Sequence, residues 1–150
     1  MCDCDILLPR KMSFEDCTLG EQYASSHYAN DLLKVRDIIQ AKTPEYLLSF
    51  DLVMNSNSGY FTNMFVTRKN ILSDYCQWLF AILFELEKIV DISTYDAYQS
   101  RIFGFLSERL FNVWLHDKDY RILEAKTIML EDEVKLKKQI CQKFIDAIGI

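Results

Sequence analysis

Between Lys69 and about Val90 the residues Ile71, Leu72, Tyr75, Trp78, Leu79, Ile82, Leu83 and Leu86 recur at three- and four-residue intervals. That period puts them along one face of a helix about six turns long. So apolar a face has to be covered by other elements, and the rest of the chain is read as its cover. Punctuation is scarce, with four Gly and two Pro in 150 residues, which favours further long helices. Half of the residues are hydrophobic and 13% are aromatic, which excludes a disordered, collagen-like or low-complexity chain. No repeat or linker divides the sequence, and its length suits one domain over residues 1–150. The expected fold class is α+β, predominantly helical, with a few short strands.

The elements follow from local pattern. Asp5 to Pro9 reads as a strand and Lys11 to Cys17 as a loop. Thr18 caps a helix to about His27, with Glu21 completing a capping box. Asp31 starts a second helix carrying Leu32, Val35, Ile38 and Ile39, and Thr43-Pro44 caps a third that runs to about Met54. Asn55 to Gly59 is a turn, and the aromatic and β-branched run Tyr60 to Thr67 predicts a strand. After the long apolar helix, Asp91 to Thr94 is a break with Ser93 or Thr94 as cap, and a second long helix spans Tyr95 to about Leu115. His116 to Asp119 is a polar turn, Arg121 to Leu130 a strand, and Glu131 to Ile148 a charged amphipathic helix. Three isolated strands make a poor sheet by themselves, so they either pair with one another or join a sheet supplied from elsewhere.

Charge and composition narrow the function. Seventeen basic against 22 acidic residues argue against general nucleic-acid binding, which needs a dense basic surface. No run of apolar residues is long enough to span a bilayer, since Gln77 and Glu85 interrupt the closest one. The acidic start Met1-Cys2-Asp3-Cys4-Asp5 is unlike a signal peptide, and the five cysteines are read as free thiols in a reducing cytoplasm. Cys2-x-Cys4 with a distant Cys17 lacks zinc-site spacing, and the phosphate-loop and hydrolase motifs are absent. No metal or other cofactor is assigned. His116 is expected in solvent, and His27 at a helix end, oriented by Asp31.

The helix from Tyr95 carries the chemistry. Arg101, Gly104, Phe105, Glu108 and Asn112 fall on one arc, opposite Tyr95, Ile102, Phe103, Leu106, Leu110, Val113 and Trp114. An internal helical glycine costs about 1 kcal/mol relative to alanine, so Gly104 asks for a reason. Two readings stand: a packing glycine beside a surface Arg–Glu pair, or a gap that lets a substrate approach Glu108 with Arg101 lowering its pKa. In the run from Ser58 to Val66 a single amide, Asn63, stands among apolar residues; it is either satisfied inside or faces a pocket. Tyr60 and Phe61 are equally core or ligand surface.

Asn63-Met64-Phe65-Val66, the run from Asp74-Tyr75-Cys76-Gln77-Trp78-Leu79-Phe80 to Glu87, and the run from Tyr98-Gln99-Ser100-Arg101-Ile102-Phe103-Gly104 through Ser107-Glu108-Arg109 to Leu115 are more specific than their chemistry. Together they closely resemble the DUF4422 domain family, bacterial proteins of capsule and exopolysaccharide gene clusters treated as glycosyltransferases. Asp5 to Pro9, Thr18 to Tyr23, His27, Asp31 and Pro44-Glu45-Tyr46 fit as well. The resemblance covers about residues 5–130 and leaves 131–150 as an extra amphipathic helix. Family members carry a preceding nucleotide-binding α/β half ending near His-Tyr-Arg-Arg, and no such segment occurs here. The resemblance therefore implies the C-terminal, acceptor-side portion of a GT-A-like enzyme, a truncated or split glycosyltransferase whose missing half a protein partner supplies.

It further implies transfer of a sugar from a nucleotide-sugar, in particular a UDP-sugar, to a growing surface polysaccharide, in the cytoplasm or at the inner membrane face. In that reading Glu108 is the general base, and Arg101 or Arg109 stabilises the leaving diphosphate. Asn63 and Asn112 bind substrate, and Tyr60 is a stacking surface. Asp3-Cys4-Asp5 and Asp117-Lys118-Asp119 have the Asp-x-Asp form but not the family's metal position. The competing expectation is a non-catalytic helical module docking through Val134, Leu136, Ile140, Phe144, Ile145 and Ile148. Those residues serve equally to pack the final helix on its own domain.

Overall fold

The computed structural model describes residues 4–127. The helix expected from Glu131 to Ile148, with its docking side, lies outside them. Among the described residues five α-helices carry the fold: α1 (Leu19–Ser26), α2 (Ala29–Lys42), α3 (Leu47–Met54), α4 (Lys69–Glu87) and α5 (Ile102–Asp117). The strands are short: β1 (Ile6–Pro9), β2 (Met12–Ser13), β3 (Ser58–Gly59), β4 (Val66–Thr67) and β5 (Ile122–Ala125). The predominantly helical α+β class read from the pattern is the class of the structure.

The long apolar helix is α4, and its cover is α2 on one side and α5 on the other. Ile71, Tyr75, Trp78, Leu79, Ile82, Leu83 and Leu86 are all buried, and Leu72 is the member of the predicted stripe left outside. Leu72, Phe80 and Phe84 form an exposed apolar row at intervals of four or eight residues, with the Phe80 and Phe84 rings stacked at 5.7 Å. From α5 come Ile102, Leu106, Leu110, Phe111, Val113 and Trp114, each at most 2% exposed. Tyr75 meets Phe111 edge-on at 5.2 Å and Trp114 at 5.2 Å, so large rings fill the α4–α5 seam.

Of the two alternatives for the strands, the structure shows pairing with one another. β1 lies between β4, antiparallel with Ile6 opposite Thr67, and β5, parallel with Ile6 opposite Ile122 and Pro9 opposite Ala125. Ile6 and Leu8 turn inward and are 1% exposed, in the period-two alternation of a half-buried strand. Asp5 fastens this sheet: its carboxylate accepts from Arg121 Nε at 3.1 Å and from the Arg121 backbone N–H at 3.1 Å. β2 pairs with β3 inside the segment expected to be loop.

Several boundaries move for local reasons. The strand expected over Tyr60–Thr67 shrinks to β4, because Tyr60 takes its backbone partners from a side chain of α5 rather than from a strand. The helix expected from Tyr95 starts at Ile102: the Asp96 carboxylate accepts from the N–H groups of Tyr98 (2.8 Å) and Gln99 (2.7 Å) and closes a turn first. α2 begins at Ala29, so Asp31 is not its cap but a buried carboxylate that accepts from the Tyr95 hydroxyl at 2.8 Å. Pro44–Tyr46 is a 3-10 turn before α3, and Thr43 makes no capping bond. Asp91, not Ser93 or Thr94, caps the break after α4. α5 continues through the predicted turn to Asp117.

Candidate active site

One helix brings the expected site residues together. α5 turns its apolar arc to α4 and lays Ser107, Arg109 and Asn112 under the irregular segment Tyr60–Phe65, with Glu108 partly buried on the same helix. Asn112 is 7% exposed and acts as a bracket for that segment. Its Oδ1 accepts from the Tyr60 N–H at 2.7 Å, and its Nδ2 donates to the carbonyls of Tyr60 and Glu108, both at 2.8 Å. Gly59 makes the approach possible: a Cβ there would lie 2.9 Å from Asn112 Oδ1 and 3.0 Å from a Leu19 methyl. Both amide protons of Asn112 are engaged by backbone, so the side chain holds the segment against α5.

Tyr60 itself is 4% exposed, and its hydroxyl donates to Glu124 at 2.8 Å. The Lys11 ammonium sits 5.3 Å from its ring centre. The ring is thus a wall rather than an open stacking face. It separates a cavity of about 380 Å³, also lined by Lys11, Ser56, Ser58, Asn112 and His116, from one of about 390 Å³ toward Phe61 and Thr62. Asn63 is exposed, and its Nδ2 donates to Ser107 Oγ at 3.2 Å. Ser107 in turn donates to the Gly104 carbonyl at 2.8 Å, and among the described residues no hydrogen bond reaches the Asn63 side-chain oxygen.

Glu108 lines neither of these cavities and lies on the helix surface, partly buried. No other described side chain hydrogen-bonds its carboxylate; burial raises its pKa, and the charges of Arg109 and Arg101 oppose that rise. One turn back, a Cβ on Gly104 would meet nothing within 4 Å, so the packing-glycine reading does not hold among the described residues. Arg101, exposed at the N-terminus of α5, completes this open strip, with its guanidinium 5.3 Å from the Phe105 ring centre.

Arg109 is different. It is 4% exposed, sandwiched between the Phe61 ring at 4.6 Å and the Tyr23 ring at 5.9 Å, and hydrogen-bonded to Gln22. Its Nε is buried with no hydrogen-bond partner among the described residues, and burial lowers its pKa. His27 finds Gln99, at 3.2 Å, instead of Asp31. It also stacks on Phe105 at 4.1 Å and on Tyr98 at 5.7 Å. This aromatic group escapes sequence reading, since 71 positions separate His27 from Tyr98 and no periodicity links them. Of the Asp-x-Asp residues, Asp5 is held by Arg121 and Arg68, and Asp117 by Lys118. Among the described residues no three His, Cys, Asp or Glu side chains gather to hold a metal ion, and no helix is long and apolar enough to cross a membrane.

Comparison with known proteins places this architecture. A solved structure described as a bifunctional glycosyltransferase, WbbM, in its apo form, superposes with a TM-score of 0.79 at 32% sequence identity. The match covers 83% of this chain and 24% of that one, so the chain spans about a quarter of the length of this neighbour. No curated protein matches by sequence. The model of the family described as "Domain of unknown function (DUF4422)" matches residues 1–119, most of the chain, and the protein belongs to that family.

Proposed function

We propose that this chain is the acceptor-side portion of a glycosyltransferase, passing a sugar from a UDP-sugar to a growing capsular or exopolysaccharide glycan at the cytoplasmic face of the membrane. The observation that carries the reading is the extent of the likeness to a bifunctional glycosyltransferase, 83% of this chain at 32% identity. The exposed strip of α5 supplies the chemistry. Glu108 is a carboxylate with no competing hydrogen bond among the described residues, which is the state a general base needs. In an inverting transfer it takes the proton of the acceptor hydroxyl while that oxygen attacks the anomeric carbon. The bond from that carbon to the diphosphate breaks, and UDP leaves with the electron pair.

The two arginines divide the remaining work. Arg101 is exposed and free to approach a diphosphate. Arg109 is buried beneath Phe61, and its field favours the ionised form of Glu108. Asn63, exposed and with no described hydrogen bond to its side-chain oxygen, is the substrate contact of the loop, and Asn112 keeps that loop in place.

The test is the folded chain with a panel of UDP-hexoses and oligosaccharide acceptors, followed by UDP release and by saturation transfer to the uridine. Transfer, or uridine binding that becomes transfer when a partner polypeptide is added, is the expected result. A folded chain that neither binds uridine diphosphate nor transfers any hexose overturns the reading.

A further inference from the structure

The open strip of α5 does not end at Arg101. Phe105 joins it to Tyr98, with ring centres 5.0 Å apart, and to His27, whose ring stacks on Phe105 at 4.1 Å and lies 5.7 Å from Tyr98. Tyr98 is 53% exposed although it packs against both rings, so much of its surface faces solvent. The imidazole is held from below by two further contacts: Nδ1 meets Gln99 Oε1 at 3.2 Å, and the ring lies 4.8 Å from Tyr23. Gln99 also donates to the Ser26 carbonyl at 2.9 Å, which ties the turn carrying Tyr98 to the end of α1. The result is a braced aromatic shelf on the surface. Beside it lie a stretch of helix with no side chain, at Gly104, and the charged pair Arg101 and Glu108.

We propose that the shelf formed by Tyr98, His27 and Phe105, together with the bare helix at Gly104, is the seat of the acceptor saccharide. This rests on the glycosyltransferase reading and adds to it where the acceptor lies. The chemistry fits a pyranose. The C–H groups of one sugar face are weakly positive and settle on the negative faces of aromatic rings. The hydroxyls at the rim need an acceptor, which Glu108 provides. A ring that lies flat needs a floor without a Cβ, and Gly104 is open to 4 Å in the direction a side chain would take. A helix interior tolerates glycine at a cost of about 1 kcal/mol, so nothing in the helix itself asks for it there.

The experiment is ligand-detected NMR on the full 150-residue chain with neutral hexose di- and trisaccharides, and with UDP in separate samples. Tyr98→Ala is expected to weaken saccharide binding about tenfold, the scale of one aromatic contact. Tyr98→Phe keeps the ring and is expected to keep binding. Gly104→Leu, a good helix former, is expected to retain the fold and abolish saccharide binding, with UDP binding unchanged in all three variants. Saccharide binding that survives both Tyr98→Ala and Gly104→Leu overturns the shelf and leaves the transferase reading standing. UDP binding with no saccharide binding in the parent chain overturns the shelf equally. A folded chain that binds neither overturns both.

Discussion

Asn112 and Arg109 are buried polar residues three positions apart on α5, and they have opposite fates. Asn112 has backbone partners for its oxygen and for both amide protons, all at 2.7 or 2.8 Å. Among the described residues Arg109 has one hydrogen-bonded partner, Gln22, two aromatic rings and a buried Nε with nothing to donate to. A buried group that is fully satisfied holds a structure together; a buried charge without a carboxylate bound to it costs stability. The same helix thus carries a structural fastener and, beside it, a buried charge that opposes the rise of the Glu108 pKa.

The contrast breaks most visibly at Asn112. Asn112→Leu leaves the Tyr60 N–H and C=O buried without partners and is expected to cost about 3 kcal/mol in denaturant unfolding. A loss below about 1 kcal/mol, where neutral surface changes fall, would make it no fastener. Arg109→Met, of similar volume, is expected to gain about 1 kcal/mol while lowering any transfer activity; a destabilised variant would show that Arg109 supports the fold. Gly104→Ala, with open space for its methyl, is expected to stabilise by up to about 1 kcal/mol. A lower melting midpoint in that variant would reveal a contact for the glycine.

The smallest effect is at the sheet. The side-chain bond from Arg121, with its backbone bond and the charge of Arg68, lowers the Asp5 pKa. Because the folded value lies below the ordinary 3.8, the stabilisation is present above that pH and is lost as pH falls through the folded value. Asp5→Asn should flatten the acid limb of the stability curve, and an unchanged limb would assign acid sensitivity elsewhere.

What the sequence made legible was local. The capping box of α1 forms as read, with Thr18 N–H to Glu21 Oε2 at 2.8 Å and Glu21 N–H to Thr18 Oγ1 at 3.2 Å, because both partners lie within one turn. The buried face of α4 and the α5 arc holding Glu108 and Gly104 likewise follow from helical period alone. The pairing of β1 with β5 was not legible, since it joins positions 116 residues apart by backbone groups that every residue possesses. The Tyr60–Thr67 run carries strand-forming residues, yet its backbone is claimed by Asn112, a choice that only tertiary packing makes. The aromatic shelf was invisible for the same reason, as its rings come from the end of α1, a turn and α5.

The proposed transfer stands or falls with Glu108 as its general base. The direct measurement is the pH dependence of turnover in the parent chain and in Glu108→Gln, alongside their melting midpoints. Burial raises the Glu108 pKa, so the acid limb of the parent profile should lie above the ordinary 4.5, with activity appearing as the carboxyl loses its proton. Glu108→Gln is expected to lose about 10²–10⁴-fold in turnover and its acid limb, with no fall in melting midpoint, since an uncharged amide replaces a partly buried charge. Turnover that survives the substitution with the same pH profile would contradict this role, as would a loss matched by a lowered melting midpoint.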